Sequence, residues 1–204
     1  MNKIFEILAK PAKLVLIIGG FVYAVWFAIR TGLSIDGGFV NVLTNILTLF
    51  VGTALIAIPP VMLLIKKEEL AKLFFVFLLG FWILTTPSQW FVLADAFAES
   101  GDGFIIFVGI YLMIIGIALL GILVLIILEI LLGMKFLRPI INIIALAVVA
   151  AFFVGAILFC IEAGIQGAPW LYFVEYAFVD MIVLPVTVGF GCLYFFGVNE
   201  KKGE

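Results

Sequence analysis

Two carboxylates and a phenol interrupt a segment that is otherwise apolar enough to cross a bilayer. They are Glu175, Tyr176 and Asp180, within PWLYFVEYAFVDMIVLPVTVGFGCLYFFG over residues 169–197. An ionised group near mid-membrane costs ~2.5–3.5 kcal/mol on insertion scales, so it normally faces a cavity or a partner. Tyr176 and Asp180 are four apart, a spacing that lets a hydroxyl reach a carboxylate on one helix face. Pro185 follows five residues after Asp180 and removes a backbone donor, which frees the carbonyl of Met181. Gly189 and Gly191 are expected to loosen the chain beyond it. An aspartate beside freed carbonyls makes an oxygen-rich setting suited to a cation or a proton. The competing reading is a structural aspartate bonded to Asn45, Gln89 or Arg30.

Further polar residues fall at similar depth. Asn41, Thr44, Asn45, Thr48 and Gly52 recur at helical spacing along a second apolar segment. A third segment is broken at its centre by Thr85, Thr86, Pro87, Ser88 and Gln89, where Pro87 predicts a kink. Arg30, Asp95, Glu162 and Gln166 mark outer ends of segments. Placed together by depth, Asp180, Glu175, Tyr176, Gln89, Asn45, Thr48, Glu162 and Arg30 predict an outward-facing acidic pocket. Pro185 and Pro87 supply its kinks. Such a pocket favours cations or polar solutes over anions. Read without a ligand, the same Asn, Thr and Gln side chains are interhelical glue.

The elements that must position these residues are read from composition. Of 204 residues, 67% are hydrophobic and 12% charged. A water-facing surface needs more charge than that. Apolar runs of about 20 residues recur along the chain, the signature of membrane-crossing helices. The expected fold is an all-α integral membrane protein, one polytopic domain over residues 1–204 with short loops. Its six spans run over about 13–30, 39–65, 70–97, 104–132, 138–163 and 169–197. Residues 1–12 alternate Ile4, Phe5, Ile7 and Leu8 with Lys3, Glu6 and Lys10, which predicts a short amphipathic segment on the membrane surface.

Charge sets the expected orientation. With six spans, Lys3, Lys10, Lys13, Lys66, Lys67, Lys72, Lys135, Arg138, Lys201 and Lys202 share one side, against Arg30 on the other. The positive-inside rule then places both termini in the cytoplasm, in a plasma membrane. Three spans followed by three more lie in opposite orientations, and Pro87 and Pro185 each break the third helix of a half. That arrangement suggests a 3+3 inverted repeat. Gly109, Gly116, Ala118 and Gly121 in span four, with Ala147, Ala151 and Gly155 in span five, predict close packing with a neighbouring helix or a second copy of the chain. Glu129, near the end of span four, is within reach of Lys135 or Arg138.

Several functions are excluded or disfavoured. The chain has no histidine, which removes Ser-His and Cys-His dyads and histidine metal sites. No phosphate-cradling glycine loop is present. No enzyme activity, cofactor, metal site or nucleic-acid partner is expected. The two cysteines, Cys160 and Cys192, fall near opposite ends of a helical hairpin and are not expected to bond. In size, span number and cytoplasmic termini the chain is similar to the substrate-binding subunits of energy-coupling-factor vitamin transporters. Their small-x-x-x-small patch on the first helix is matched here by Ala24 and Ala28. The expected function is that of a transporter, channel-like protein or membrane-embedded solute-binding subunit. The alternative is a non-transporting subunit that acts through a partner or homo-oligomer, as in a membrane complex, an immunity function or a defence system.

Overall fold

A computed structural model describes residues 2–33, 39–80, 103–165, 167, 169–170 and 173–197. Every regular element among them is helical. Helix α1 spans Asn2–Leu33, running through Pro11 without a break and joining the amphipathic lead-in to the first apolar run. Helix α2 spans Phe39–Leu64 and holds Pro59 and Pro60 in its last two turns. It ends in a tight reversal. Lys66 takes φ 60°, the Lys66 N–H donates to the Leu63 carbonyl at 3.3 Å, and the Lys67 N–H donates to that of Met62 at 2.8 Å. This is the paired bonding that satisfies orphan carbonyls at a helix end. Helix α3 starts at once over 68–80, with Glu68 and Glu69 at its positive end.

Helix α4 covers Gly103–Leu132 and stops at Gly133, whose φ of 65° suits the left-handed residue after a helix. A 3₁₀ turn, Lys135–Leu137, leads into α5, Arg138–Ile165. Pro139 stands in the first turn of α5, where its missing N–H costs nothing. The last segment departs from the α-helix expected of it. Phe173–Val183 is wound as a π-helix, and Leu184–Phe195 continues as α6 with Pro185 in its opening turn.

Among the described residues, four helices are long and apolar enough to cross a membrane: Ile7–Leu33, Asn41–Leu64, Met113–Leu132 and Lys135–Ile161. A shorter apolar helix covers Met181–Phe195. Large apolar side chains stay exposed along them, among them Leu14, Ile18 and Val25 on α1 and Ile110, Ile114 and Ile117 on α4. A soluble protein rarely shows so continuous an apolar surface, whereas lipid tails cover it readily.

Helix α6 is the pillar of the bundle. It packs on α1 and α5, and its small residues admit close neighbours. Thr187 sits against Gly19 of α1, Gly189 against Val149 of α5, and Gly191 against the ring of Phe75 in α3. A Cβ at Gly19, Gly189 or Gly191 has no room. Gly189 and Gly191 therefore fasten the segment rather than loosen it, because each glycine is filled by a neighbour's side chain. Helix α2 packs along α1, with Gly20 facing Pro60 and Gly52 facing Phe27. On the other flank, the Tyr111 hydroxyl of α4 donates to the Ala151 carbonyl of α5, and Gly155 accommodates the Tyr111 ring. The shared core joins Leu16, Leu63, Phe75, Leu79, Ile122, Ile126, Ile141, Cys192 and Phe196.

Candidate functional site

The lysine-rich end of the bundle is tied by side-chain bonds. Lys13 of α1 donates to Glu68 Oε1 at 3.0 Å, and the Tyr194 hydroxyl of α6 donates to the same oxygen at 2.7 Å. The Lys13 ammonium lies 5.9 Å from the Tyr194 ring centroid, and the Lys72 ammonium lies 4.7 Å from that of Phe196. Arg138 Nε donates to Glu129 Oε1 at 2.7 Å, where the Glu129 side chain is 4% exposed. Asn142, fully buried, donates from Nδ2 to the Phe196 carbonyl at 3.0 Å. That carbonyl follows α6, where helix geometry leaves acceptors without partners. These contacts bring the starts of α1, α3 and α5 together with the ends of α4 and α6.

A different picture holds farther along α6 toward its start. The π stretch carries Glu175, Tyr176 and Asp180 in sequence. Their backbone is described, while their side chains lie outside the described residues. A π-helix closes i→i+5 bonds and mostly appears as a single turn, often at functional sites. Eleven residues of it are unusual. The chain returns to α geometry at Leu184, next to Pro185, which has no N–H to continue either ladder. The Thr187 hydroxyl donates to the Val183 carbonyl at 2.7 Å. Threonine often supplies this kind of repair where a proline disturbs a membrane helix.

Neighbouring helices set the direction of α1 against α6. Thr187 faces Gly19, Tyr194 meets Lys13, and α1 also packs on the π stretch. Helices α1 and α6 are therefore antiparallel, and seven residues along α1 from Gly19 lead to Trp26, on the side toward the π stretch. Trp26 is on the same α1 face as Gly19, because seven residues are two helical turns. By the same reasoning, the Gly20–Pro60 and Phe27–Gly52 contacts set Thr53 of α2 opposite Trp26. Trp26 Nε1 and Thr53 Oγ1 are both buried with no hydrogen-bond partner among the described residues. Buried polar groups nearly always have one, so two orphans at one level are informative.

The other expected site residues are distributed as follows. Asn45 is half-buried on α2, and Thr48 on the same helix is exposed. Arg30 is exposed near the end of α1. Glu162 belongs to α5, and its side chain lies outside the described residues. Gln89 and Pro87 lie outside the described residues altogether. An open groove of about 660 Å³ runs between α5 and the π stretch, lined by Phe153, Ile157, Cys160, Phe173, Phe178 and Ile182 among others. Its described lining is apolar and suits acyl chains better than ions. Cys160 and Cys192 are both free. Among the described residues, no group of three histidine, cysteine or acidic side chains is placed to hold a metal.

The unmet polar atoms of Trp26 and Thr53 were not evident in the sequence. A tryptophan in an apolar run reads as packing or an interfacial anchor, and a single threonine reads as a backbone-bonded hydroxyl. The signal lay in heptad spacing, Gly19 to Trp26 and Thr53 to Pro60. It acquires meaning only once the helix pairing is known. No family model, curated protein or solved structure matches this chain.

Proposed function

We propose that this protein is a small membrane transport protein, or the membrane-embedded binding subunit of one, that takes up a cation or small polar solute from the outer side. On this reading it crosses the plasma membrane six times with both termini in the cytoplasm, and the lysine-rich end is the cytoplasmic one. Asp180 is the central ligand or proton carrier, with Glu175 and Tyr176 beside it. Gln89, Asn45, Thr48, Glu162 and Arg30 belong to the polar surround, and Pro185 and Pro87 to the kinks that permit rearrangement.

The observation that carries this reading is the π-helix over Phe173–Val183. It holds both acidic residues of the segment and ends at Pro185 within an apolar bundle. Irregular backbone at membrane depth is tolerated where it lines a cavity or is buried in protein. Interrupted helices that pair a carboxylate with loosened carbonyls are a recurrent way to hold coupling ions and solutes.

The test is thermal unfolding of the purified protein in detergent, across pH and a panel of cations and small solutes, with Asp180→Asn alongside. A ligand at 100 times its Kd adds about 2.7 kcal/mol of stability. One ligand should protect the wild type and leave the mutant unprotected, with uptake into vesicles lost in parallel. A mutant that transports as well as the wild type overturns the reading.

A second reading is a non-transporting subunit that works through a partner. It is favoured by α4, whose exposed Ile110, Ile114 and Ile117 lie on the same helix as Gly121, and among the described residues nothing lies within reach of a Cβ added at Gly121. In that case no solute protects, and a membrane protein co-purifies in fixed ratio.

A further inference from the structure

We propose that the lysine-rich end holds an anionic phospholipid at one defined place, the α2–α3 turn beside the start of α1, with Lys10, Lys66 and Lys67 around its phosphate. Such a site needs only that the apolar helices lie in a bilayer, and it is independent of any solute the protein carries. Around this turn the charge is unbalanced. Glu68 is already engaged by Lys13 and Tyr194. Glu69 is left against Lys10, Lys66 and Lys67, and all four residues are exposed. No ion pair among the described residues takes up the three lysines. They are also neighbours. The Lys13–Glu68 bond ties α1 to the start of α3, directly after Lys66 and Lys67, and Lys10 lies within one turn of Lys13.

The backbone draws attention to the Lys66 side chain. Among the described residues, three take the left-handed conformation: Gly133 at φ 65°, Gly167 at φ 69° and Lys66 at φ 60°. Glycine adopts it freely, whereas a Cβ meets the following carbonyl oxygen. Lys66 therefore keeps a long cationic side chain where the backbone favours none. The surroundings select a lipid over a free anion. Leu64 and Ile65, just before Lys66, are exposed, and Leu70, Leu73 and Phe77 form an exposed stripe along α3 just beyond Lys67. On α1, the exposed Ile7 and Leu14 share a face with Lys10. Lysine lays its stem along apolar surface and keeps its ammonium at the polar boundary. Cations at the edge of a continuous apolar surface match a molecule that joins a phosphate to acyl chains. A soluble phosphate would meet the lysines and leave the apolar part unused. Basic sites of this kind between membrane helices recognise anionic headgroups.

The experiment uses the full-length protein in a neutral detergent. Lipid binding is measured by native mass spectrometry and by thermal protection. The probes are phosphatidylglycerol, phosphatidylcholine as the zwitterionic control, and glycerol 1-phosphate as a headgroup without acyl chains. Lys66→Gly removes the cation and suits the turn, so the fold is kept. Lys66→Gly, Lys67→Gln and Lys10→Gln should each weaken phosphatidylglycerol binding about fivefold, and the three together about a hundredfold. Lys135→Gln takes the same charge from the connection between α4 and α5 and should change binding less than twofold. In the wild type, phosphatidylcholine should bind at least tenfold more weakly than phosphatidylglycerol. Equal binding of the two lipids overturns the proposal, as does a triple variant that binds like the wild type. A Lys135→Gln loss as large as that of Lys66→Gly means a diffuse charge effect and overturns the assigned place. Protection by glycerol 1-phosphate at the concentration that suffices for the lipid means a soluble-anion site and overturns the lipid. An acidic protein lost from the triple variant, while both proteins bind phosphatidylglycerol alike, assigns the lysines to that partner instead and overturns the proposal.

Discussion

At the lysine-rich end, Glu129 is bonded by Arg138, Asn142 donates to the orphan carbonyl of Phe196, and Glu68 accepts from both Lys13 and Tyr194. Two helical turns farther along α1 from its Gly19–Thr187 contact, Trp26 and Thr53 keep buried polar atoms with no partner, and the facing segment is wound as a π-helix. The same helices pass through both levels. One level spends its polar groups on holding helix ends together. The other leaves them unspent in the interior, where an unmet donor or acceptor is costly. The exception at the first level is Asn142 Oδ1, which is unpartnered although its Nδ2 is bonded. The two levels differ in how far their described polar groups are satisfied.

The strongest way to break this comparison is to disarm the clamp. Arg138→Ala leaves the Glu129 carboxylate buried without its guanidinium. Stranding a buried charge in this way costs about 3–5 kcal/mol. Thermal unfolding in detergent should show that loss, and Glu129→Leu combined with Arg138→Met should recover most of it. A single mutant as stable as the wild type means the pair is solvated and does no fastening.

The next largest effect lies where α1 and α6 touch. Gly19→Ala adds a methyl where Thr187 already sits. Overpacking of this kind costs about 1–3 kcal/mol. The cost should shrink in a Thr187→Ala background, because the hydroxyl that blocks the methyl is gone. Contacting residues couple in this manner, whereas distant ones add. Purely additive losses would mean that the two residues do not meet, and the antiparallel register of α1 and α6 would fall with them.

How much of this was legible before the structure depends on which physical term decides each feature. The helical, membrane-suited fold was legible, since apolar runs of spanning length leave few alternatives. The Glu129–Arg138 pair was within reach, because a short connection after Gly133 returns the chain beside its own end. Helix α6 as the pillar was not legible. Gly189 and Gly191 look like flexibility in sequence, and only the positions of Val149 and Phe75 reveal them as close-packing sites. The π-helix was not legible either. Pro185 announces a disturbance, yet the choice of i→i+5 bonding over a kink is settled by tertiary packing. The polar stripe on α2 shows the same limit: spacing puts Asn45 and Thr48 on one helix, but helix rotation decides that Asn45 is half-buried and Thr48 exposed.

The smallest expected effect is the one that most sharpens the comparison. Removing a buried polar group that has no partner relieves a desolvation penalty, whereas removing one that has a partner strands that partner. Thr53→Val discards an unmet hydroxyl at little change in shape, so the ligand-free protein should gain about 0.5–1 kcal/mol in stability. The matching change at the clamp, Asn142→Leu, strips the Phe196 carbonyl of its donor and should lower stability. Measured side by side in ligand-free protein, the two variants should move in opposite directions. If Thr53→Val is destabilising, its hydroxyl already has a partner in the folded protein, and the Trp26–Thr53 level is fastened in the same way as the lysine-rich end.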